Sequence, residues 1–204
     1  MIRILGKIPN KVTLACSGGP DSMAVLDFLA CGRKGVTVAY YNHETTHGHE
    51  AEDFLRTYCF EKNIPFVCDR ISGKKPADSS WEEWWRDSRY VFFKSFNGPV
   101  VTCHHLNDVA EWWMFTSLNG DPRLIPYRNQ NVIRPFLPTK KSCFVEWCER
   151  NDVPYLSDPG NKDLKFARSR IRNKMIPEAL MINPGFLKVL SKRVNKKFEV
   201  EKHA

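Results

Sequence analysis

The six residues Ser17-Gly18-Gly19-Pro20-Asp21-Ser22 constrain the fold of this chain more than any other stretch. They follow an apolar, β-branched run at 12–16 and precede Met23, Ala24, Val25, Leu26, Phe28 and Leu29, so the local reading is strand, tight loop, helix. Two adjacent glycines let backbone N–H groups approach an anion with no Cβ in the way. The helix N-terminus behind them adds unpaired N–H groups and a favourable dipole. Such a loop is suited to phosphate. It has neither the Gly-x-x-x-x-Gly-Lys-Ser/Thr spacing of a Walker A loop nor the Gly-x-Gly-x-x-Gly of a dinucleotide site. Ser-Gly-Gly-Pro-Asp is also a sound turn sequence by itself, and the flanking strand and helix favour the phosphate reading.

The same alternation continues. A second strand is expected at 36–41, helical spacing in Ala51, Phe54, Leu55, Tyr58 and Cys59, and a short strand at 65–68. A polar loop over 71–80 ends in Asp78 to Ser80, which suit the cap of a helix starting near Trp81. A strand at 99–103 and a helix at 106–118 follow. Short apolar strands alternating with helices give the fold class α/β, a parallel sheet with helices on both faces. Pro122, Pro126, Pro135 and Pro138 break the pattern over 119–138, which reads as a functional loop or an edge excursion. Beyond it come a helix at 140–150, an extended segment at 152–158, and basic helices at 166–180 and 185–194. The expected division is a catalytic domain at 1–139 and a small helical extension at 140–204.

Charge is unevenly spread. The net charge is +8, and residues 161–204 hold 12 Lys+Arg against 4 Asp+Glu, leaving 19 of each in residues 1–160. A basic tail on a neutral body suits a polyanion held at one end, nucleic acid above all, although a solvated helical surface has the same composition. No apolar run approaches the roughly 20 residues that cross a bilayer, and the first ten residues lack a signal-peptide core, so a cytoplasmic protein is expected. Seven cysteines with no Cys-x-x-Cys pair argue against a disulfide framework or a structural zinc site, and most are expected to be buried thiols.

A second constellation, His104 to Glu111, follows directly on the strand at 99–103. Ligands of open α/β sheets sit beyond the carboxyl ends of the strands, so it should share one crevice with the phosphate loop. Asp108 and Glu111 are three apart on the first turns of a helix, and two carboxylates near a triphosphate can hold Mg²⁺ or activate an attacking group. Acids at a helix N-terminus also simply complement its dipole. Arg86 and Arg89 read either as site residues or as a solvated helix edge bridged to Glu82 and Asp87. Trp81, Trp84, Trp85, Trp112 and Trp113 read as core, or as stacking surfaces for bases.

Strand-Ser-Gly-Gly-x-Asp-Ser-helix resembles the PP-loop of the ATP-pyrophosphatase family, whose members split ATP between its α and β phosphates and adenylate a substrate. His104-His105-Leu106-Asn107-Asp108-Val109-Ala110-Glu111 resembles the His-His-x-x-Asp-x-x-Glu of tRNA(Ile)-lysidine synthetases. Trp85-Arg86-Asp87-Ser88-Arg89-Tyr90 is similar to that family's Ala-Arg-x-x-Arg-Tyr helix. Asp158-Pro159-Gly160-Asn161-Lys162-Asp163, then Arg168 to Asn173 and Pro177, resembles its Asp-Pro-Ser-Asn-x-Asp and Arg-Asn-x-Ile-Arg segment.

The resemblance implies an adenine-nucleotide α-hydrolase-like fold and a two-step reaction. ATP first adenylates the wobble cytidine of tRNA(Ile), and free L-lysine then displaces AMP to leave lysidine. It implies ATP and Mg²⁺ as cofactors and tRNA(Ile) and lysine as partners. Ser17, Gly18, Gly19, Pro20, Asp21 and Ser22 would bind ATP, with Asp21 and Asp108 on the metal. Asp21, Arg86, Asp108 and Glu111 would be catalytic, and Arg89, Arg168, Arg170, Arg172 and Lys174 would contact RNA.

Three departures stand out. Trp112-Trp113 replace a small polar and an aliphatic residue, Glu44 reverses the charge of a His-Gly-Leu-Arg stretch, and 119–138 compresses a glycine-rich loop. Family members usually carry further C-terminal domains, so either the basic helices at 166–194 are expected to hold the tRNA or the RNA substrate differs. The rival readings are another PP-loop enzyme with a different base or small molecule as substrate, and a non-enzymatic RNA-binding module.

Overall fold

The computed structural model describes residues 1–157 and 166–203. The expected Asp158 to Asp163 motif therefore lies outside the described residues. The first half runs β1 (Lys11–Ala15), α1 (Pro20–Cys31), β2 (Gly35–Asn42), α2 (Thr46–Glu61), β3 (Phe66–Arg70), α3 (Trp81–Lys94), β4 (Val100–Val101) and α4 (Leu106–Leu118). After it come β5 (Arg128–Asn129), β6 (Val132–Ile133), α5 (Lys141–Arg150), α6 (Ala167–Arg170), a π-helical turn (Ile171–Met175), α7 (Ile176–Ile182) and α8 (Phe186–His203).

The strands form one sheet in the order β3-β2-β1-β4-β6-β5. Leu14 is the hub of the register, opposite Val38 on one side and Val101 on the other, and every pairing is parallel except β5 with β6. Strand alternation sends Val12, Leu14, Val36 and Val38 to one face, where they meet Met23, Leu26, Leu55, Phe136 and Phe144. Ala39, Val100 and Val132 point the other way, onto Phe92 and Phe93 of α3. Helices thus cover both faces, the α/β arrangement expected from the alternation.

The helix boundaries follow their caps. The Ser80 side chain accepts from the Glu83 N–H at the start of α3, with Glu82 and Glu83 in the first turn and Lys94 in the last, all favourable to the helix dipole. The proline-rich stretch is an edge excursion that adds the short β5–β6 hairpin. The helix α5 packs against α1 and lends Phe144 and Cys148 to the sheet's own core, while Trp147 donates to Asp27 (2.8 Å). A third cluster joins Val109 and Ala110 of α4 to Ile171, Ile176, Leu187, Leu190 and Val194. The last helix runs well past residue 194, because Phe198, one turn on, packs edge-on against Tyr127 at 4.8 Å.

Two expectations about side chains need correction. Trp81 is exposed and Trp84 and Trp85 are half-buried, because Phe92 and Phe93 already fill the buried face of α3; Trp112 and Trp113 of α4 are half-buried too, and of these Trp113 packs against the cluster around Ile171 and Leu187. The seven cysteines are all free, but only Cys16, Cys59 and Cys148 are buried, and Cys31 is exposed. Among the described residues no helix is long and apolar enough to cross a membrane.

Candidate active-site crevice

The phosphate loop turns on Gly18, whose φ of +78° only glycine adopts without strain. Gly19 caps α1 with extended backbone, and Pro20 occupies the first turn where its missing N–H costs nothing. A Cβ on Gly19 would meet only Ser17 Oγ, at 3.5 Å, so the space in front of it is open. Ser22 is buried and locks the loop from behind. Its Oγ donates to Gly19 O (2.9 Å) and accepts from Ser17 N–H (3.2 Å). Leu156 N–H donates to Gly18 O (2.8 Å), fastening the chain after α5 to the loop.

The loop and the His104 to Glu111 segment meet at Asp21 and His105. Asp21 stands in the first turn of α1, at the end of β1, and its Oδ2 lies 3.5 Å from Nε2 of His105, at the end of β4. His105 is the N-cap of α4 in a reciprocal box. Its Nδ1 accepts from Asp108 N–H (3.2 Å), and its own N–H donates to Asp108 Oδ2 (2.9 Å). With Nδ1 accepting, the proton of the neutral ring sits on Nε2 and points at Asp21. Burial pulls the His105 pKa down, but Asp108 and Asp21 outweigh it and the net shift is upward. Burial likewise pushes Asp108 up, and His105 with His104 outweighs that to hold its carboxyl low. Asp21 Oδ1 is buried without a partner among the described residues.

Glu111 lies one helical turn further and has no exposed surface. Both its oxygens are taken: Arg168 Nε stands 2.6 Å from Oε1, and Arg172 Nε 2.8 Å from Oε2. The two arginines are four residues apart across the junction of α6 and the π-helical turn, which turns both toward α4. Glu111 was expected to serve the substrate and Arg168 and Arg172 to meet RNA phosphates; in the structure the three engage one another, since a buried carboxylate needs compensating charge. Arg170, between them in sequence, and Lys174, two residues beyond, are exposed.

Arg86 is exposed, with its guanidinium 5.6 Å from the Tyr90 ring centroid, and forms no bridge to Glu82 or Asp87. Arg89 is half-buried. Two groups that the sequence reading did not single out complete the crevice floor. Arg134, directly after β6, is 4% exposed and donates to Pro126 O (2.9 Å) and Tyr90 Oη (2.7 Å). His43, directly after β2, lies against Tyr41 and Trp85 with centroids at 5.3 and 5.5 Å, and burial, with Arg89 adding to it, pulls its pKa down to about 4. His104 bonds Thr102 Oγ1 (2.8 Å), and burial brings it to about 4 as well. The signal available for Arg134 and His43 was position: each directly follows the carboxyl end of a strand.

The chain matches the PP-loop domain family over residues 4–179. It is 33% identical over 196 residues to a tRNA(Ile)-lysidine synthase of Lactiplantibacillus plantarum, a match that covers 87% of this chain and 44% of that protein. It is 30% identical over 197 residues to a bifunctional protein TilS/HprT of Listeria innocua, covering 86% of this chain and 30% of that one. The chain spans about half or less of the length of these curated relatives. Its fold is similar to a U34-tRNA thiolase of Methanococcus maripaludis, with a TM-score of 0.71 at 15% identity over 93% of this chain and 72% of that one. An NH3-dependent NAD synthetase of Campylobacter jejuni aligns with a TM-score of 0.50 at 16% identity, over 93% and 86%. At such identities the likeness concerns the fold alone.

Proposed function

The chain belongs to the PP-loop domain family, and from that premise we propose that it is an ATP-dependent enzyme joining free lysine to carbon 2 of the wobble cytidine of tRNA(Ile). The names of its curated relatives support this substrate. The observation that carries the reading is the contact between Asp21 and His105. It joins the phosphate loop of one strand to the acidic turn of another, so a triphosphate and an attacking amine can meet in one crevice.

In the first step the cytidine oxygen at carbon 2 attacks the α-phosphorus of ATP. A new oxygen–phosphorus bond forms, the bridge to the β-phosphate breaks, and pyrophosphate leaves. Negative charge grows on the phosphates, and the N–H groups of residues 17–22 with the α1 dipole are suited to stabilise it. The acidic residues also fit Mg²⁺. Asp21 Oδ1 is buried without a partner among the described residues. That suits a cation that takes one or two carboxylates and fills its shell with phosphate oxygens and water. Asp21 and Asp108 would hold it, and it would neutralise the separating phosphates.

In the second step the lysine ε-amine attacks carbon 2 and AMP departs. The amine must first shed a proton, and Asp108, held ionised beside His105, is placed to accept it. Glu111 acts through Arg168 and Arg172, which it holds at the crevice. Arg86, exposed at its rim, supports adenylation or the tRNA. Arg170, Lys174 and the basic face of α8 supply phosphate contacts to tRNA.

The test is mass spectrometry of nucleosides from tRNA(Ile) incubated with the protein, ATP, Mg²⁺ and lysine. Lysidine should appear, and only when all are present. A thiolated nucleoside formed with a sulfur donor, or tRNA bound but chemically unchanged, would overturn the reading.

A further inference from the structure

The floor of the crevice carries two arginines with no carboxylate. Arg134 is nearly wholly buried, its two described hydrogen bonds go to neutral oxygens, and its Nε has no partner. Arg89, next to Tyr90 on α3, forms no hydrogen bond or ion pair among the described residues. His43 adds a buried Nδ1 without a partner. The acids nearby are committed: Glu111 to Arg168 and Arg172, Asp108 to the His105 cap. Charge withdrawn from water and left unpaired is costly, and an anionic ligand relieves it.

The position of this cationic patch says which anion. It lies past the ends of β2 and β6 against the middle turns of α3, where Trp85 meets His43. Arg134 and Arg89 meet around Tyr90, whose hydroxyl accepts from Arg134 (2.7 Å), and both they and Asp108 act electrostatically on His104. A negative and a positive site therefore flank one imidazole, the complement of a small molecule with an ammonium at one end and a carboxylate at the other. A phosphodiester within an RNA chain is too bulky to reach a side chain as deep as Arg134, whereas a planar carboxylate matches a guanidinium fork.

We propose that Arg89 and Arg134 form a carboxylate subsite that takes the α-carboxylate of the amino-acid substrate and so aims its side-chain amine at Asp108. The proposal rests on the lysine-joining reading above. Tyr90, through its hydroxyl on Arg134, positions the deeper arginine.

The experiment is calorimetric titration of L-lysine and of 1,5-diaminopentane, the same amine without the carboxylate, into the full chain with ATP and Mg²⁺. The native chain should bind lysine about 10- to 100-fold more tightly than the diamine, the range expected of charge-assisted hydrogen bonds. In Arg89→Gln that preference should shrink to about threefold or less, and in Arg89→Lys it should be intermediate. An undiminished preference in Arg89→Gln overturns the subsite, as does a native chain that binds no lysine. So does an Arg89→Gln variant whose only change is weaker, less salt-dependent tRNA binding. A preference lost in the variant while the nucleoside assay yields no lysidine keeps the subsite and sinks the lysidine reading. Lysidine formed with the preference intact in Arg89→Gln does the reverse.

Discussion

Arg172 reaches from the π-helical turn to set Nε 2.8 Å and a terminal guanidinium nitrogen 2.7 Å from one oxygen of Glu111, a carboxylate with no exposed surface. Arg168 takes the other oxygen. This triad ties the segment after residue 166 to α4 and so to the strand end that carries His105.

Replacing Glu111 with Gln leaves two guanidiniums facing a neutral amide. A fully buried pair broken this way costs about 3–5 kcal/mol, and a smaller loss of about 2–3 kcal/mol is expected here because Arg168 and Arg172 are 42% and 34% exposed. Urea unfolding should show a lower midpoint at unchanged slope. An unchanged midpoint would mean the triad contributes nothing to the fold.

Acid should destabilise the chain well before its carboxylates titrate. His43 and His104 are held at about 4 against an ordinary 6.5, mainly by burial. Between those values the unfolded chain binds protons that the folded chain refuses, so stability falls as pH drops from 6.5 toward 4, by at most about 3 kcal/mol per histidine. His105 runs the opposite way: its pKa is raised, so its contribution is full below 6.5 and is lost as pH rises through the folded value. Urea midpoints measured between pH 7 and pH 4.5 should decline, and His104→Gln should flatten the decline. An equal slope in that variant would refute the assignment.

The two loop glycines should separate fold from ligand. Gly18→Ala forces a side chain into φ +78° with its Cβ 3.4 Å from Phe54, and about 1–2 kcal/mol of stability should be lost. Gly19→Ala has an ordinary φ and open space, so its melting temperature should hold while its methyl group narrows the cradle and weakens ATP binding by about tenfold or more. ATP titration with thermal unfolding on both variants checks this; a Gly19→Ala variant that binds ATP normally would put the phosphates elsewhere.

What could be read from the sequence was local. Ser17 to Ser22 announces itself because its glycines, cap and helix are consecutive, and Asp108 because it stands three residues from the His105 it caps. Of the two meanings open for Asp108, helix cap and site acid, the structure shows the first, and the second belongs to the proposed reaction. Glu111 was legible as an acid one turn beyond Asp108, but its arginines lie 57 and 61 residues away, and no periodicity points to a partner so distant. The strands β5 and β6 have two residues each, too few for alternation to register, and Arg134 was lost with them. The end of α8 was misjudged because Phe198 finds Tyr127, a contact between remote segments.

The two acids on either side of His105 should fail differently. Asp21→Asn keeps the side chain's shape but removes the charge next to the phosphate loop, so pyrophosphate release from ATP and tRNA should drop by about 100-fold or more, whether or not lysine is present. Asp108→Asn can still accept the His105 N–H through its amide oxygen, so α4 keeps its cap and tRNA affinity should stay within about twofold. What it loses is the anion facing the amine and one of the two carboxylates offered to the cation: lysine incorporation should fall by about 100-fold or more, and pyrophosphate release should fall less because Asp21 still holds the cation for the first step. Quench-flow measurement of pyrophosphate and radiolabelled lysine in the same reaction separates the steps. Equal loss of both products in Asp108→Asn would leave Asp108 with the cation and the triphosphate alone, and undiminished incorporation would remove it from the chemistry.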